Sequence, residues 1–240
     1  MDIGPTTNIS VIDNAITKEK ILERREIKKD IKIREKIEIA TKRGIDIVAS
    51  IVGITLLIPI TLIVAICNIV AKENGPIFFK QERIGKDGKL FKMYKYRTMV
   101  VDAEKILQRH IAERTELGKE YIKNKKIKDD PRITKIGKFL RNTSLDEFPQ
   151  FINVLKGEMS LVGPRPYLPL EKEDMGDTYY IVTKMKPGLT GSWQVAGRSN
   201  LCFEDRLNLD EEYYKDKSLG KDIKILFMTF VKILKKEGAM

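Results

Sequence analysis

The chain has 240 residues, a formal charge of +11, 42% apolar residues, two cysteines and one histidine. That apolar share can bury a core, which excludes a wholly disordered chain, and the excess positive charge asks for a polyanionic neighbour such as nucleic acid, anionic lipid or a phosphorylated substrate. Cys67 and Cys202 cannot build a disulfide framework or a cysteine metal cluster, and His110 alone rules out Ser-His-Asp, Cys-His and histidine–zinc chemistry, leaving carboxylates, lysines, arginines and a hard cation.

Residues 1–15 have turn-forming composition without periodicity, and no apolar stretch falls in the first 30 residues, so no secretory signal is expected. Residues 16–41 mix Lys, Arg and Glu with Ile27, Ile31, Ile33, Ile37 and Ile39. This predicts a charged helix with a weak apolar stripe, either solvated or interfacial. Lys42 and Arg43 lead into residues 45–71, a run of 27 whose one charged group is Asp46. As a straight helix at ~1.5 Å per residue it would reach about 40 Å, ample for a hydrocarbon core of ~30 Å. Two features favour a re-entrant helix over a simple span. Pro59 leaves arms of 14 and 12 residues, each too short to cross, and proline interrupts helical bonding. Both flanks are also basic: residues 18–43 carry eleven Lys/Arg against six acids, and Lys80, Arg83, Lys86, Lys89, Lys92, Lys95 and Arg97 follow. Basic flanks mark cytoplasmic sides, which places both ends on one face of the membrane.

From Lys72 onward the pattern is that of a water-soluble domain. Pro76-Ile77-Phe78-Phe79 reads as a short strand, Gly85-Lys86-Asp87-Gly88 as a turn, and residues 90–96 alternate like the returning strand of a hairpin. Residues 102–124 predict one polar, exposed helix. After a turn at Asp129-Asp130-Pro131-Arg132, residues 133–141 predict a short helix with Ile133, Ile136 and Leu140 inward.

That helix delivers Arg141-Asn142-Thr143-Ser144-Leu145-Asp146-Glu147-Phe148-Pro149-Gln150, where two adjacent carboxylates stand at a helix start. In one register Ser144 and Glu147 form a capping box. In the other the cap falls near Phe148, Pro149 takes the first helical position, Phe151, Ile152 and Leu155 form the apolar face, and Gly157 is the stop. Both registers put the acids at the positive end of a helix dipole, though acids in a first turn are common. Farther on, Val162-Gly163-Pro164-Arg165-Pro166 holds an arginine between two prolines, which suits a phosphate contact as well as an ordinary proline turn. The one tryptophan, Trp193, reads as core filler or as an interface residue. From Asp222 onward, Ile223, Leu226, Phe227, Phe230, Ile233 and Leu234 have amphipathic-helix spacing, for packing on the core or lying in a membrane interface.

Taken together in this order, these pieces resemble the bacterial sugar transferases, the monotopic phosphoglycosyl transferases that load polyprenyl phosphate. The resemblance is carried by Lys42-Arg43 and Asp46 before the proline-interrupted apolar run, Phe79-Lys80-Gln81-Glu82-Arg83-Ile84-Gly85, Lys95-Tyr96-Arg97-Thr98-Met99 and Asp130-Pro131-Arg132-Ile133-Thr134. It continues through Leu140-Arg141 to Gln150, Val162-Gly163-Pro164-Arg165-Pro166, Pro187-Gly188-Leu189-Thr190-Gly191 and the Asp210…Asp222 tail, over roughly residues 42–238. Many relatives carry an aromatic where Ser192 stands, and some carry a large multi-span module where this chain has its charged 1–41 segment.

What the resemblance implies is specific. A sugar-1-phosphate passes from a UDP-sugar to polyprenyl (undecaprenyl) phosphate with release of UMP, the first membrane step of exopolysaccharide, capsule, O-antigen or glycoprotein glycan synthesis. Asp146 would attack the β-phosphate and carry an aspartyl phosphosugar, Glu147 would hold Mg²⁺ (or Mn²⁺ in its place), and Lys95 would complete the catalytic group. Arg141, Pro164 and Arg165 would bind phosphate and nucleotide, and Asp210 and Asp222 would be supporting carboxylates. A carboxylate is a known covalent nucleophile, and Mg²⁺ needs only one or two protein carboxylates beside substrate phosphates. Lys42, Arg43 and Asp46 would flank the membrane element and Pro59 would break it. The implied location is the cytoplasmic face of the bacterial inner membrane, with membrane phospholipid as a partner, a homodimer compatible and nucleic acid excluded. The expected fold is α+β and mainly helical: a charged 1–41 segment, a proline-broken re-entrant helix at 42–72, and a small cytoplasmic catalytic domain at 73–240 with a short β-hairpin and amphipathic interfacial helices.

Two rivals remain. A membrane-anchored basic scaffold binding anionic lipid or nucleic acid would use the +11 charge, but its lysines are spread over exposed helices without stacking aromatics. A Rossmann-like, metal-dependent glycosyltransferase calls for an Asp-x-Asp motif and a GxGxxG turn, and the chain contains neither.

Overall fold

The computed structural model describes residues 6–124, 127–197 and 201–235, in two compact units, Met1–Ile45 and Asp46–Met240. The first unit is supplied by helix α1 (Thr6–Val70), whose remainder opens the second. The fold is α+β and mainly helical, and it is the second unit that holds the site.

In that unit α1 has its amphipathicity reversed. Asp46, Ser50, Leu57, Val64 and Asn68 are buried at the three- and four-residue spacing of one helix face. Gly53 joins them, so close to the Phe151 ring that an added Cβ would lie 2.5 Å from it. Val48, Val52, Leu56, Ile58, Leu62 and Ile63 face outward and are more than half exposed. A helix in water buries its apolar face; this one turns polar groups inward and shows the apolar face to its surroundings. By length and composition the stretch is sufficient to cross a membrane.

Pro59 lies inside α1 and does not end it, where a break was expected. Proline lacks the N–H that would bond the carbonyl four residues earlier. Close by, the Leu57 carbonyl accepts from Thr61 Oγ1 at 2.7 Å and from the Tyr96 hydroxyl at 3.4 Å, and that hydroxyl lies 2.6 Å from Thr61 Oγ1. These bonds tie the proline turn to the domain.

Strands β1 (Phe78–Ile84) and β2 (Leu90–Tyr96) form the expected antiparallel hairpin, with Phe78 opposite Tyr96 and Ile84 opposite Leu90. The single helix expected over 102–124 is two, α2 (Ala103–Ala112) and α3 (Glu116–Asn124). Arg114 turns left-handed between them at φ 50°, and His110 Nδ1 lies 3.1 Å from Thr115 Oγ1, so His110 serves the corner. Helix α4 (Lys135–Asn142) starts at Thr134, whose hydroxyl accepts the Gly137 N–H at 2.9 Å. After α5 (Gln150–Lys156), strand β3 (Ser160–Val162) runs parallel to β4 (Gly188–Thr190), a pairing not foreseen, with α6 (Thr178–Val182) between them in sequence. Helices α7 (Ser192–Ala196), α8 (Phe203–Asp216) and α9 (Leu219–Leu234) follow.

One core cluster joins β2, α5, β3, α8 and α9 through Met93, Val154, Met159, Leu161, Tyr213 and Ile225. A second unites Leu57 and Val64 of α1 with Tyr96 and Leu140. On α9, Ile223, Phe227, Phe230 and Leu234 remain more than half exposed, a second outward apolar face.

Candidate active site

The Asp146-Glu147 pair occupies a tight turn between α4 and α5. Ser144 takes φ 57° and makes no side-chain cap, so the capping-box register is not formed. Residues 145–147 make one 3₁₀ turn, Pro149 is the N-cap of α5, one place before the first helical position the second register gave it, and Gly157 ends that helix at φ 82° as that register has it. Leu145 and Phe148, on either side of the acids, pack against the cluster containing Tyr96 and Leu140 and hold the turn in place.

Two elements bring partners to the pair. Lys95 on β2 donates from Nζ to Glu147 Oε1 at 2.7 Å. Arg141, at the end of α4, donates from Nε to Thr98 Oγ1 at 3.0 Å, and its charge acts on Asp146. Burial, and then the Glu147 charge, push the Asp146 carboxyl up to about 6, while Lys95 and Arg141 pull it back. At neutral pH Asp146 is therefore mostly ionised yet poorly solvated, a suitable state for a nucleophile. Behind Arg141, the buried Asp130–Arg132 pair, 2.6 Å apart, fixes the turn that precedes α4.

Three further arginines, Arg83, Arg165 and Arg206, make a second basic group, of which Arg83 feels the charge of Glu147. Arg83 on β1, only 9% exposed, donates to the Pro166 carbonyl at 2.8 Å and to Gln81 Oε1 at 2.6 Å. Burial first, then Arg165, lower it to about 10, against pulls from Glu171 and Glu147. Arg165 places its guanidinium carbon 5.1 Å from the Trp193 ring centre, and Arg206 of α8 lies 5.5 Å from the same ring. The Arg165 backbone N–H donates to Asp210 Oδ2 at 3.0 Å, and the Tyr167 hydroxyl donates to the same oxygen at 2.9 Å. Asp210 is fully buried, and burial raises it to about 7.

The structure thus brings Asp146, Glu147, Lys95 and Arg141 together, with Arg165 linked to them through the field of Arg83. Pro164 is buried, and its carbonyl accepts the Gly188 N–H at 2.8 Å, holding the arginine loop to β4. Asp210 supports Arg165 from beneath. Asp222 accepts from the Tyr213 hydroxyl at 2.5 Å, joining α8 to α9, and Asp46 accepts from Ser160 Oγ at 3.1 Å and the Leu161 N–H at 2.8 Å, joining α1 to β3. Lys42 and Arg43 belong to the Met1–Ile45 unit. From sequence, Arg83 was read as part of the basic flank and of a family motif, with no site role, and Arg206 was not singled out. Their available signals were slight: Arg83 stands in a strand among exposed charged residues, and Arg206 lies one helical turn before Asp210.

Among the described residues no group of three or more His, Cys, Asp and Glu could hold a metal ion. A divalent cation would have to take the adjacent carboxylates and draw its other ligands from substrate phosphate and water, which is how Mg²⁺ is ordinarily held.

A poorly solvated carboxylate, a second acid paired with lysine, and several arginines, on a domain with outward apolar helices, make a site suited to phosphate-bearing substrates at a membrane surface. Residues 37–236 match the family model of bacterial sugar transferases, and the chain belongs to that family. It is 45% identical over 172 residues to the undecaprenyl-phosphate galactose phosphotransferase of Salmonella typhimurium, covering 71% of this chain and 36% of that protein. The UDP-glucose:undecaprenyl-phosphate glucose-1-phosphate transferase of Escherichia coli is 40% identical over 167 residues, or 66% of this chain and 32% of its own length. The exopolysaccharide production protein ExoY of Sinorhizobium fredii is 38% identical over 169 residues, covering 70% and 74%. The chain thus spans about a third of the first two relatives.

Proposed function

We propose that the protein moves a hexose-1-phosphate from a UDP-hexose to undecaprenyl phosphate, as a membrane step of exopolysaccharide or capsule synthesis. The observation that carries this reading is the Asp146 carboxyl, raised by burial beside the Lys95–Glu147 pair and Arg141. An Asp146 oxygen bonds to the β-phosphorus as the phosphorus–oxygen bond to UMP breaks, and the bonding pair leaves with UMP. An oxygen of the lipid phosphate then bonds to the same phosphorus and the Asp146 carboxylate is regenerated, giving undecaprenyl diphosphate sugar. Arg141 offsets charge on the transferring phosphoryl group, where most of the catalysis of such reactions arises. Mg²⁺ held by Glu147 would supply further charge neutralisation there, and Lys95 keeps Glu147 oriented beside Asp146.

The same reading places the domain on the cytoplasmic face of the inner membrane, with α1, unbroken at Pro59, lying against the domain and turning its apolar face to the membrane on that side. Two observations support it. The buried stripe of α1 extends from Asp46 to Asn68, so the whole apolar length stays on its domain, where a perpendicular span would depart from it. Its outward residues, like those of α9, are apolar.

Intact-protein mass spectrometry after incubation with Mg²⁺ and a panel of UDP-sugars, without lipid, tests the reaction. A hexose-phosphate adduct is expected in the parent protein and absent in Asp146→Asn. No adduct with any donor, together with UMP release that strictly requires lipid, would point to direct transfer and sink the covalent route.

A further inference from the structure

We propose that Phe79 is the platform on which the hexose ring of the donor lies, and that this residue helps set which sugar is accepted. The proposal rests on the donor reading given above and deepens it at the sugar end.

The placement follows from strand register. Phe79 of β1 stands directly opposite Lys95 of β2. Opposed residues share one face of a sheet, with Cβ atoms ~5 Å apart. Side chains leave a sheet roughly at right angles to it, so the Phe79 ring runs beside the Lys95 stem. That stem ends in the Nζ that donates to Glu147 Oε1 at 2.7 Å. The ring therefore flanks the acid pair. The side chains of Lys95 and Glu147 are 25% and 41% exposed and Phe79 is 47% exposed, so a ligand arriving from solvent can reach all three.

Core packing does not account for this ring. The two other phenylalanines of the hairpin are committed to the interior. Phe91 lies in the cluster with Met93 and Val154, and Phe78 stacks on Tyr96 at 5.4 Å in the cluster shared with α1. Phe79 points to the opposite face from Phe78 and belongs to no core cluster among the described residues. Single exposed apolar residues are ordinary on a surface; the company on this face is what distinguishes Phe79. Gln81 and Arg83 follow it at alternate positions of β1, and Lys95 faces it. Gln81 Oε1 accepts from Arg83 Nη2 at 2.6 Å, so the amide NH2 is what Gln81 can offer a hydroxyl.

An aromatic ring among hydrogen-bond donors suits a ligand with an apolar C–H face and a rim of hydroxyls, which describes a pyranose. The negative face of the ring attracts polarised C–H groups, and the donors take the rim. A prenyl chain is apolar on every side and would bury Lys95 and Gln81 without satisfying them. The reaction also calls for a fixed support here. The phosphorus–oxygen bond to UMP breaks in the first half-reaction and the bond to Asp146 in the second, while the oxygen joining sugar to phosphorus is untouched in both. The hexose therefore keeps one place beside the acid pair, and one platform serves both steps.

The test is UMP release with undecaprenyl phosphate by the full chain in nanodiscs, over UDP-glucose, UDP-galactose and their N-acetylamino counterparts. In Phe79→Leu and Phe79→Ala the kcat/KM ratio between the best and the next donor should shift by about tenfold, while the lipid KM holds. Phe79→Trp, which restores a ring, should recover most of the discrimination. A raised lipid KM with the donor ratio intact would assign Phe79 to the prenyl chain and overturn the platform. Equal slowing of all donors, in variants that melt like the parent, would reduce Phe79 to a support for Lys95. Because UMP release is read whether or not an aspartyl adduct forms, loss of the covalent route leaves this test standing. Should the parent turn over no UDP-sugar, the donor reading falls. Saturation transfer from the protein to glucose-1-phosphate, lost in Phe79→Leu, would then keep the platform, and its absence from the parent would remove that too.

Discussion

Asp146 is kept where a carboxylate ionises reluctantly, and that has two measurable consequences. The first half-reaction should rise with pH to a plateau, with a midpoint near the value of about 6 set by burial and Glu147. Because Glu147 raises that value and Lys95 lowers it, Glu147→Gln should move the midpoint down and Lys95→Ala should move it up. Stopped-flow UMP release over pH 4.5–8 would show either change. The second consequence concerns stability. Between the ordinary 3.8 and about 6 the folded state holds a proton that the unfolded chain has lost, so stability falls as pH rises through that window. Asparagine cannot ionise and escapes this cost. Asp146→Asn should therefore be inactive yet more stable at pH 7 by about 1–3 kcal/mol, since the carboxyl ionises roughly two pH units above its ordinary value and each is worth ~1.4 kcal/mol. Denaturant midpoints in the same detergent would check the sign. The acid pair and Arg165 were legible in sequence because they stand in motifs with stiff neighbours. Arg83 and Arg206 were not, since a charged residue in a strand or helix resembles a solvated one until its burial is known.

The elements that position the site do so through a few close approaches. An added Cβ at Gly53 would lie 2.5 Å from the Phe151 ring, and Phe151 belongs to the helix that follows the acid pair. Gly53→Ala should push α1 from α5 at a cost of about 1–3 kcal/mol, the usual penalty of overpacking. Its thermal midpoint should fall and its turnover should drop more than its UMP affinity. Tyr96→Phe removes the hydroxyl bonded to Thr61 and Leu57 and should cost about 1 kcal/mol. Denaturant midpoints of the two proteins in the same detergent would check the loss. The hairpin was readable because Leu90–Met93 alternate between exposed and buried and the turn at Gly85-Lys86-Asp87-Gly88 precedes them. The β3–β4 pair was not, as three residues flanked by glycine and proline give no period. The division of 102–124 escaped notice because apolar spacing continues across it, and the corner depends on Arg114 and on the bond between Thr115 and His110.

Taken as one body, the Asp46–Met240 unit presents two outward apolar faces, on α1 and on α9. Phe227→Glu with Phe230→Glu should reduce flotation with liposomes and lower turnover on lipid acceptor, while the mass adduct with UDP-sugar persists. An unchanged flotation profile would assign the α9 face to a protein contact. The reversed helix α1 has a different consequence. Its bonds and packing to the domain run through Asp46, Gly53, Leu57, Thr61 and Val64, none of which needs lipid as a partner. The bilayer therefore acts on this helix as a solvent that suits its outer face, and a different solvent could replace it if that face were rewritten. Glutamate, lysine and glutamine at Val48, Val52, Leu56, Ile58, Leu62 and Ile63, with the inner stripe untouched, would be a route to a detergent-free protein that still loads its aspartate.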